Sequence, residues 1–147
     1  MRREFAYPVV LTPGEEDGDF VVSFPDLPEA ITQGEDERDA LEEATDALDE
    51  ALAGRIRRGD EIPQPSRPGR GRRIVVQTPL IAAKAALYLQ LRASHLTRSD
   101  LARILACDVR EVRRLLDPKH PSKLSRIARA LAALGGRLEL RLVEDVA

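Results

Sequence analysis

The sequence predicts an α+β protein: a β-β-β-α-β unit over residues 1–77, then an all-α helix-turn-helix unit over residues 78–147 ending in a C-terminal strand. Three observations carry this reading. Strand-like apolar runs are confined to the first third of the chain, to the triplet Ile74–Val76 and to the alternating tail. Helical periodicity fills most of the remainder. Charge, finally, divides sharply: residues 1–66 hold 6 Lys/Arg against 18 Asp/Glu, a net of −12, whereas residues 67–147 hold 17 against 7, a net of +10. Such an asymmetry points to two partners, or to one half engaging nucleic acid.

The first strand is read from Phe5, Tyr7, Val9 and Leu11, which share one face; Pro8, lacking a ladder donor, argues that this strand lies at a sheet edge. The acidic turn Gly14–Gly18 leads to a second strand with Phe20, Val22 and Phe24 on one face, so the two form a hairpin. Pro25–Pro28 breaks the chain, and Ala30–Thr32 offers a short third strand. A helix follows from about Asp36 to Arg57, with Leu41, Ala44, Leu48, Ala51, Leu52 and Ile56 at helical spacing and Asp36 with Asp39 capping its start. Its outer face, Glu42, Glu43, Asp46, Asp49 and Glu50, is acidic and is expected to be solvated. Residues 62–73 are rich in Pro, Gly and Arg and read as a connection. Ile74–Val76 returns as a fourth strand, and the unit boundary falls near Gln77.

From Pro79, favourable in a first turn, Leu80, Ala83, Leu87 and Leu91 line a helix. Three more helices are expected at about 98–106, 109–116 and 123–134, with Gly135–Gly136 stopping the last. In the tail, Leu138, Leu140 and Leu142 alternate with polar residues as in a half-buried strand. The second unit offers it no partner strand, so it is expected to pair with its copy in a homodimer or to dock on the first unit's sheet.

The segment from Thr97 to Leu116 carries the main functional signal. Thr97 and Asp100 form a capping box, Leu101, Ala102 and Leu105 face inward, and Asp108 caps a second helix after a short turn. In that second helix Val112, Leu115 and Leu116 pack inward, leaving Arg110, Arg113 and Arg114 on the opposite face at i, i+3 and i+4. Two short helices joined this tightly make the motif whose second helix enters the DNA major groove, and arginine is the side chain matched to guanine and phosphate. A helical hairpin with a merely solvated basic face is the plainer alternative; the net charge of +10 around it favours DNA. The candidate DNA contacts are Arg98, Val109, Arg110, Arg113, Arg114, Lys119, Ser122 and Lys123, the last three preceding a helix start where phosphate is welcome.

Composition narrows the function further. Aromatics make up 3% of the chain and tryptophan is absent, which argues against stacking on single-stranded bases. The single Cys107 allows no internal disulfide and fits a reducing cytosol. The N-terminus does not read as a secretory signal, and no apolar stretch reaches the roughly 20 residues of a membrane span, so a cytoplasmic protein is expected. Catalysis has little to build on: the carboxylates of the first unit sit in turns and on one helix face, that unit has no histidine, and His95 and His120 lack catalytic partners. No cofactor or metal is expected. A free-standing repressor whose first unit senses a small ligand is the alternative, although the acidic charge suits a protein partner better.

Two stretches together resemble the HicB antitoxins of bacterial toxin–antitoxin pairs that carry a phage-repressor-like helix-turn-helix. One is Phe24–Pro28 with Ile31-Thr32-Gln33-Gly34 and the acidic helix; the other is Leu96–Pro118 with His120-Pro121-Ser122 and Ala130–Gly135, preceded by Ala83–Tyr88. The resemblance implies a partial RNase H-like first domain without nuclease activity, which occludes a small basic mRNA-cleaving toxin, HicA, and a second domain that binds operator DNA as a dimer. Glu15, Glu16, Asp17, Asp26 and Glu29 are the candidate toxin contacts, and Leu138, Leu140 and Leu142 the candidate dimer contacts. The chain departs from the family pattern at Glu29-Ala30, where Gly-Cys is usual, and at Glu37, where an apolar residue is usual. Ala106 stands for the usual turn glycine, which implies a less left-handed turn.

Overall fold

A computed structural model describes residues 1–144. The elements run β1 (Ala6–Pro13), β2 (Phe20–Phe24), β3 (Leu27–Gly34), α1 (Glu37–Arg58), β4 (Arg73–Val76), α2 (Pro79–Ser94), α3 (Arg98–Leu105), α4 (Val109–Leu116) and α5 (Leu124–Ala133). The anticipated β-β-β-α-β order therefore holds. Its strands make one antiparallel sheet in the order β3-β2-β1-β4.

Period-2 alternation places Tyr7, Val9, Val22 and Phe24 on one sheet face, where α1 covers them with Ala40, Ala44, Leu48 and Leu52. Small residues in the first turns of α1 let helix and sheet approach closely. The approach is tightest at Gly34, where any Cβ would overlap the Ala40 backbone, so the chain needs glycine there. Asp36 caps α1 by accepting a hydrogen bond from the Asp39 amide at 2.8 Å, as its position suggested. At the far end Gly59 closes the helix at φ 75°.

Pro8 does not mark an edge strand. β1 lies inside the sheet, but its residues pair in two halves: Ala6–Val9 face β4 and Val10–Pro13 face β2. At Pro8 only one neighbour is present, so the strand is locally an edge and the missing N–H need not leave a ladder bond unmade. The third strand is longer than its apolar triplet indicated, because Leu27 pairs with Phe24 across a tight turn before an irregularity at Ser23/Phe24. The tail is a plainer correction. Residues 136–144 form no strand in the single chain, and Leu140 and Leu142 are exposed. A strand needs a partner's backbone, and none among the described residues pairs with it.

The connection after α1 lacks regular structure from Asp60 to Gly69 but is well tied. The Tyr7 hydroxyl donates to the Pro63 carbonyl at 2.7 Å, and the Ser66 amide and hydroxyl both donate to the Asp26 carboxylate. α2 then joins the two parts of the chain. Thr78, ahead of its first turn, donates twice to Asp49 of α1, so Asp49 belongs to this junction and not to the solvated acidic face. Further along, the Tyr88 hydroxyl donates to the Asp60 carbonyl, and Arg92 donates to the Gly59 carbonyl. Ala83, Leu87 and Leu91 are buried in a core that runs unbroken from the sheet to Ile127 and Leu131 of α5. No helix among the described residues is long and apolar enough to cross a membrane.

Tyr7 supplies a direct check on this core. Burial foremost, then the negative Asp26, push its phenol from 10.0 to about 12, against an opposing pull from Arg55. A tyrosine whose folded pKa exceeds its unfolded value stabilises the fold fully below pH 10.0, and that contribution is lost as pH rises toward about 12. Near-ultraviolet titration is therefore expected to show one phenol resisting ionisation until about pH 12, a phase absent from a Tyr7→Phe variant.

Candidate nucleic-acid and partner interfaces

α3 begins with a complete capping box: the Asp100 amide donates to Thr97 Oγ1 at 3.0 Å and the Thr97 amide to Asp100 Oδ2 at 2.9 Å. The second of these bonds foremost, with the Thr97 hydroxyl beside it, holds the Asp100 carboxyl below its ordinary value. The helix ends at Ala106, which takes φ 55° and ψ 46°. The expectation of a less left-handed turn is thus overturned. The Cys107 amide bonds the Ala102 carbonyl at 3.0 Å, and this closure of the helix demands a left-handed cap despite the alanine methyl. Asp108 then caps α4 through the Arg110 amide at 2.8 Å, so three residues separate the helices.

α4 buries Val112, Leu115 and Leu116 and exposes Arg110, Arg113 and Arg114. The three arginines differ in their partners. Arg110 leans back on Asp108 at 3.4 Å, and Arg114 meets Glu111 at 3.2 Å. Glu111 also receives Arg126 of α5 at 2.6 Å, which fastens the two helices at their surface. Arg113 makes no ion pair among the described residues. Arg98, Lys119 and Lys123 are exposed, and Val109 is half-buried against the core. Ser122, by contrast, points into the protein.

That inward serine exposes the residue the sequence reading passed over. Lys84 of α2 is fully buried, and its ammonium donates to the Arg114 carbonyl at 2.9 Å, the Asp117 carbonyl at 2.7 Å and Ser122 Oγ at 2.9 Å. All three N–H donors find an acceptor, as a charge buried this deeply requires. Ser122 Oγ also lies 3.2 Å from the Arg114 carbonyl and 3.0 Å from His120 Nδ1. Burial pushes the lysine below its usual value, while the Asp117 charge opposes that shift. The ammonium sits at the C-terminal end of α4, where helix carbonyls are unpaired and the dipole favours a cation. It therefore holds the end of α4, the following turn and α2 in one arrangement. The available signal was a lysine inside an apolar stripe, four residues after Leu80 and three before Leu87.

The acidic candidates separate in the same way. Glu15, Glu16 and Asp17 are exposed in the β1–β2 turn, which is closed by the Gly14 amide on the Asp19 carbonyl at 2.8 Å. Asp26 is committed to Ser66. Glu29 receives Arg55 in a two-pronged pair at 3.0 and 2.9 Å, and the guanidinium holds its carboxyl below the ordinary value. Asp26 and Glu29 thus anchor the long connection and α1, and the free negative charge lies in the turn and along α1. His95 is the left-handed cap of α2, and His120 lies in the turn before α5. Among the described residues no cluster of metal-ligating side chains occurs. Leu138 packs partly on the core, while Leu140 and Leu142 stand free of it.

A family model described as HicB_like antitoxin of bacterial toxin–antitoxin system matches residues 6–86. The chain is 37% identical over 141 residues to Antitoxin HicB 1 of Photorhabdus laumondii, covering 95% of this chain and 88% of that protein. It is 38% identical over 138 residues to Antitoxin HicB of Escherichia coli K12, with 93% and 99% covered. With Antitoxin HicB of Pseudomonas fluorescens it shares 33% identity over 141 residues, with 95% and 97% covered.

Two substitutions test the local physics. Lys84→Ala leaves buried carbonyls without their donor and is expected to lower unfolding free energy by about 3 kcal/mol in denaturant titration. Ala106→Gly relieves the left-handed alanine and is expected to raise it by about 1 kcal/mol. A destabilised Ala106→Gly protein would mean that the turn is held by something other than its backbone conformation.

Proposed function

The chain belongs to the family of HicB-like antitoxins of bacterial toxin–antitoxin systems, and from that membership we propose a division of labour between its two parts. Residues 1–77, read as a partial RNase H-like domain, bind and neutralise a small, basic, mRNA-cleaving toxin of the HicA type. Residues 78–147, with α3 and α4 as a helix-turn-helix, bind operator DNA as a dimer and repress the operon that encodes both proteins. Family membership accounts for the antitoxin role, and the relatives are named antitoxins, not enzymes. Both activities belong in the cytoplasm.

The observation that carries the DNA half is the exposed arginine face of α4, whose opposite face is buried and whose end is pinned by Lys84. A rigid helix bearing Arg110, Arg113 and Arg114 suits entry into a major groove, with Arg98, Lys119 and Lys123 available to phosphates. Dimeric binding places half-sites about one helical turn apart. The acidic half is suited to a partner that itself grips RNA: a net of −12 over residues 1–66 attracts a basic protein and repels nucleic acid. The free carboxylates of Glu15, Glu16 and Asp17 are the first contacts to test. A ligand-sensing repressor receives less support, since the concavity beside α1 and β4 is an open groove lined by charged residues such as Glu37, Arg38, Glu42 and Arg73.

Replacing Arg110 and Arg113 together with Ala is expected to weaken operator binding by about 100-fold or more in gel shift, while rescue of growth from the neighbouring toxin persists. Binding by the native protein is expected to fall by about 1,000-fold between roughly 50 and 200 mM salt, if about six phosphates are neutralised. Loss of both activities in a folded double variant would overturn the division of labour.

A further inference from the structure

The connection between α1 and β4 is a cationic island on the acidic half. Residues 62–73 hold Arg67, Arg70, Arg72 and Arg73 and no carboxylate, beside the net of −12 over residues 1–66. Both ends of its arginine stretch are fastened, Ser66 to Asp26 and Arg73 to Glu37. Between these ties residues 67–72 are exposed and turn sharply, with the Arg72 amide on the Gly69 carbonyl at 3.1 Å and Gly71 at φ 77°. The arginines of α1, Arg38, Arg55, Arg57 and Arg58, each meet a carboxylate. Arg67, Arg70 and Arg72 meet none among the described residues, although carboxylates outnumber cations around them. Three exposed, unpaired guanidinium groups on one short turn present themselves to a polyanion.

We propose that this turn enters the minor groove of the DNA held by α4. Gly69 and Gly71 alternate with Arg70 and Arg72, so no bulky side chain stands between the guanidinium groups. Nothing of the protein lies within 4 Å of the place a Cβ would take at Gly71, which leaves that side of the turn open to a ligand. Such a slender ribbon fits a groove about 6 Å wide, and a narrow A·T-rich minor groove draws arginine by its strong negative potential. The turn also shares a framework with α4. Six residues lead from Arg72 to Thr78, and six more reach Lys84, which bonds the end of α4. Extended chain and helix rise therefore hold Arg72 within about 30 Å of Lys84, while a minor groove lies only half a duplex turn, about 17 Å, from the major groove. Bonds from α2 to Asp49, Asp60 and Gly59 keep the sheet unit, and the turn with it, at a set offset from α4. The carboxylates of this half repel DNA, and the arginine turn is the part of it that DNA attracts.

This inference rests on the operator binding proposed above and adds a second contact to it. The test uses the full-length protein and duplex DNA from upstream of its own gene. Base pairs whose guanine N7 the native protein leaves unprotected are made A·T, G·C or inosine·cytosine, the last having the minor groove of A·T and the major groove of G·C. The native protein is expected to bind the A·T and inosine·cytosine duplexes alike and the G·C duplex about tenfold more weakly. In the triple variant Arg67→Ala, Arg70→Ala, Arg72→Ala that preference should vanish, and affinity for the A·T duplex should fall by about tenfold or more. The slope of log affinity against log salt should become shallower by about 2 to 3, roughly 0.9 for each cation removed. Rescue from the toxin and the thermal unfolding midpoint should stay as in the native protein, since the three side chains touch no other part of it. A triple variant with native affinity and native flank preference would overturn the inference. Weaker binding by the variant, with a native protein indifferent to the flanks, would overturn the minor-groove assignment. Intact operator binding with lost toxin rescue would give the turn to the toxin and overturn it equally. A native protein that binds none of the duplexes would bring down the operator reading itself, and this contact with it.

Discussion

One buried ammonium organises the C-terminal half of the molecule. Lys84 lies on α2, yet its three acceptors belong to the end of α4, to the cap after it and to the turn before α5. A charge without water tolerates little displacement, because every lost acceptor leaves it unsolvated. The orientation of α4 is therefore set by α2, and α2 is itself seated on α1 through Asp49, Asp60 and Gly59. The arginine face thus stands on a chain of polar contacts reaching back to the sheet.

Charge in this protein does two different kinds of work. At Asp26, Glu29 and Asp49 carboxylates fix the connection, α1 and the start of α2, and Glu111 joins α4 to α5. These are internal fastenings. The carboxylates of the β1–β2 turn and the exposed cations of α4 and its neighbours have no such engagement, or only a shallow surface one. The opposite signs of the two halves leave each half's unengaged charge facing solvent with a different class of partner in view.

What was legible in the sequence is what depends on neighbouring residues. Helix extents fell within one or two positions because periodicity and the caps Asp36, Thr97, Asp108 and Gly135 act over a single turn. The acidic–basic division was legible for the same reason: it needs only counting. The misreadings involve distant partners. Pro8 signals a missing donor correctly, but only tertiary pairing reveals that β1 changes partners midway along its length. Asp49 resembles its solvated neighbours until Thr78 arrives, and Ser122 resembles a phosphate contact until Lys84 does. Ala106 adopts a glycine's conformation because the closure of α3 and the start of α4 leave no other path.

The two-part pairing of β1 also sets an order of assembly. Residues 6–58 contain three strands and α1, all joined by short links, and can fold from local contacts as the chain leaves the ribosome. Ala6–Val9, however, pairs with β4, around seventy residues later in the case of Ala6 and Val76. Throughout the synthesis of the long connection the start of β1 is an open edge, able to template mispairing with another nascent chain. The proline in that half-strand, by withholding a donor, makes the waiting edge a poorer template.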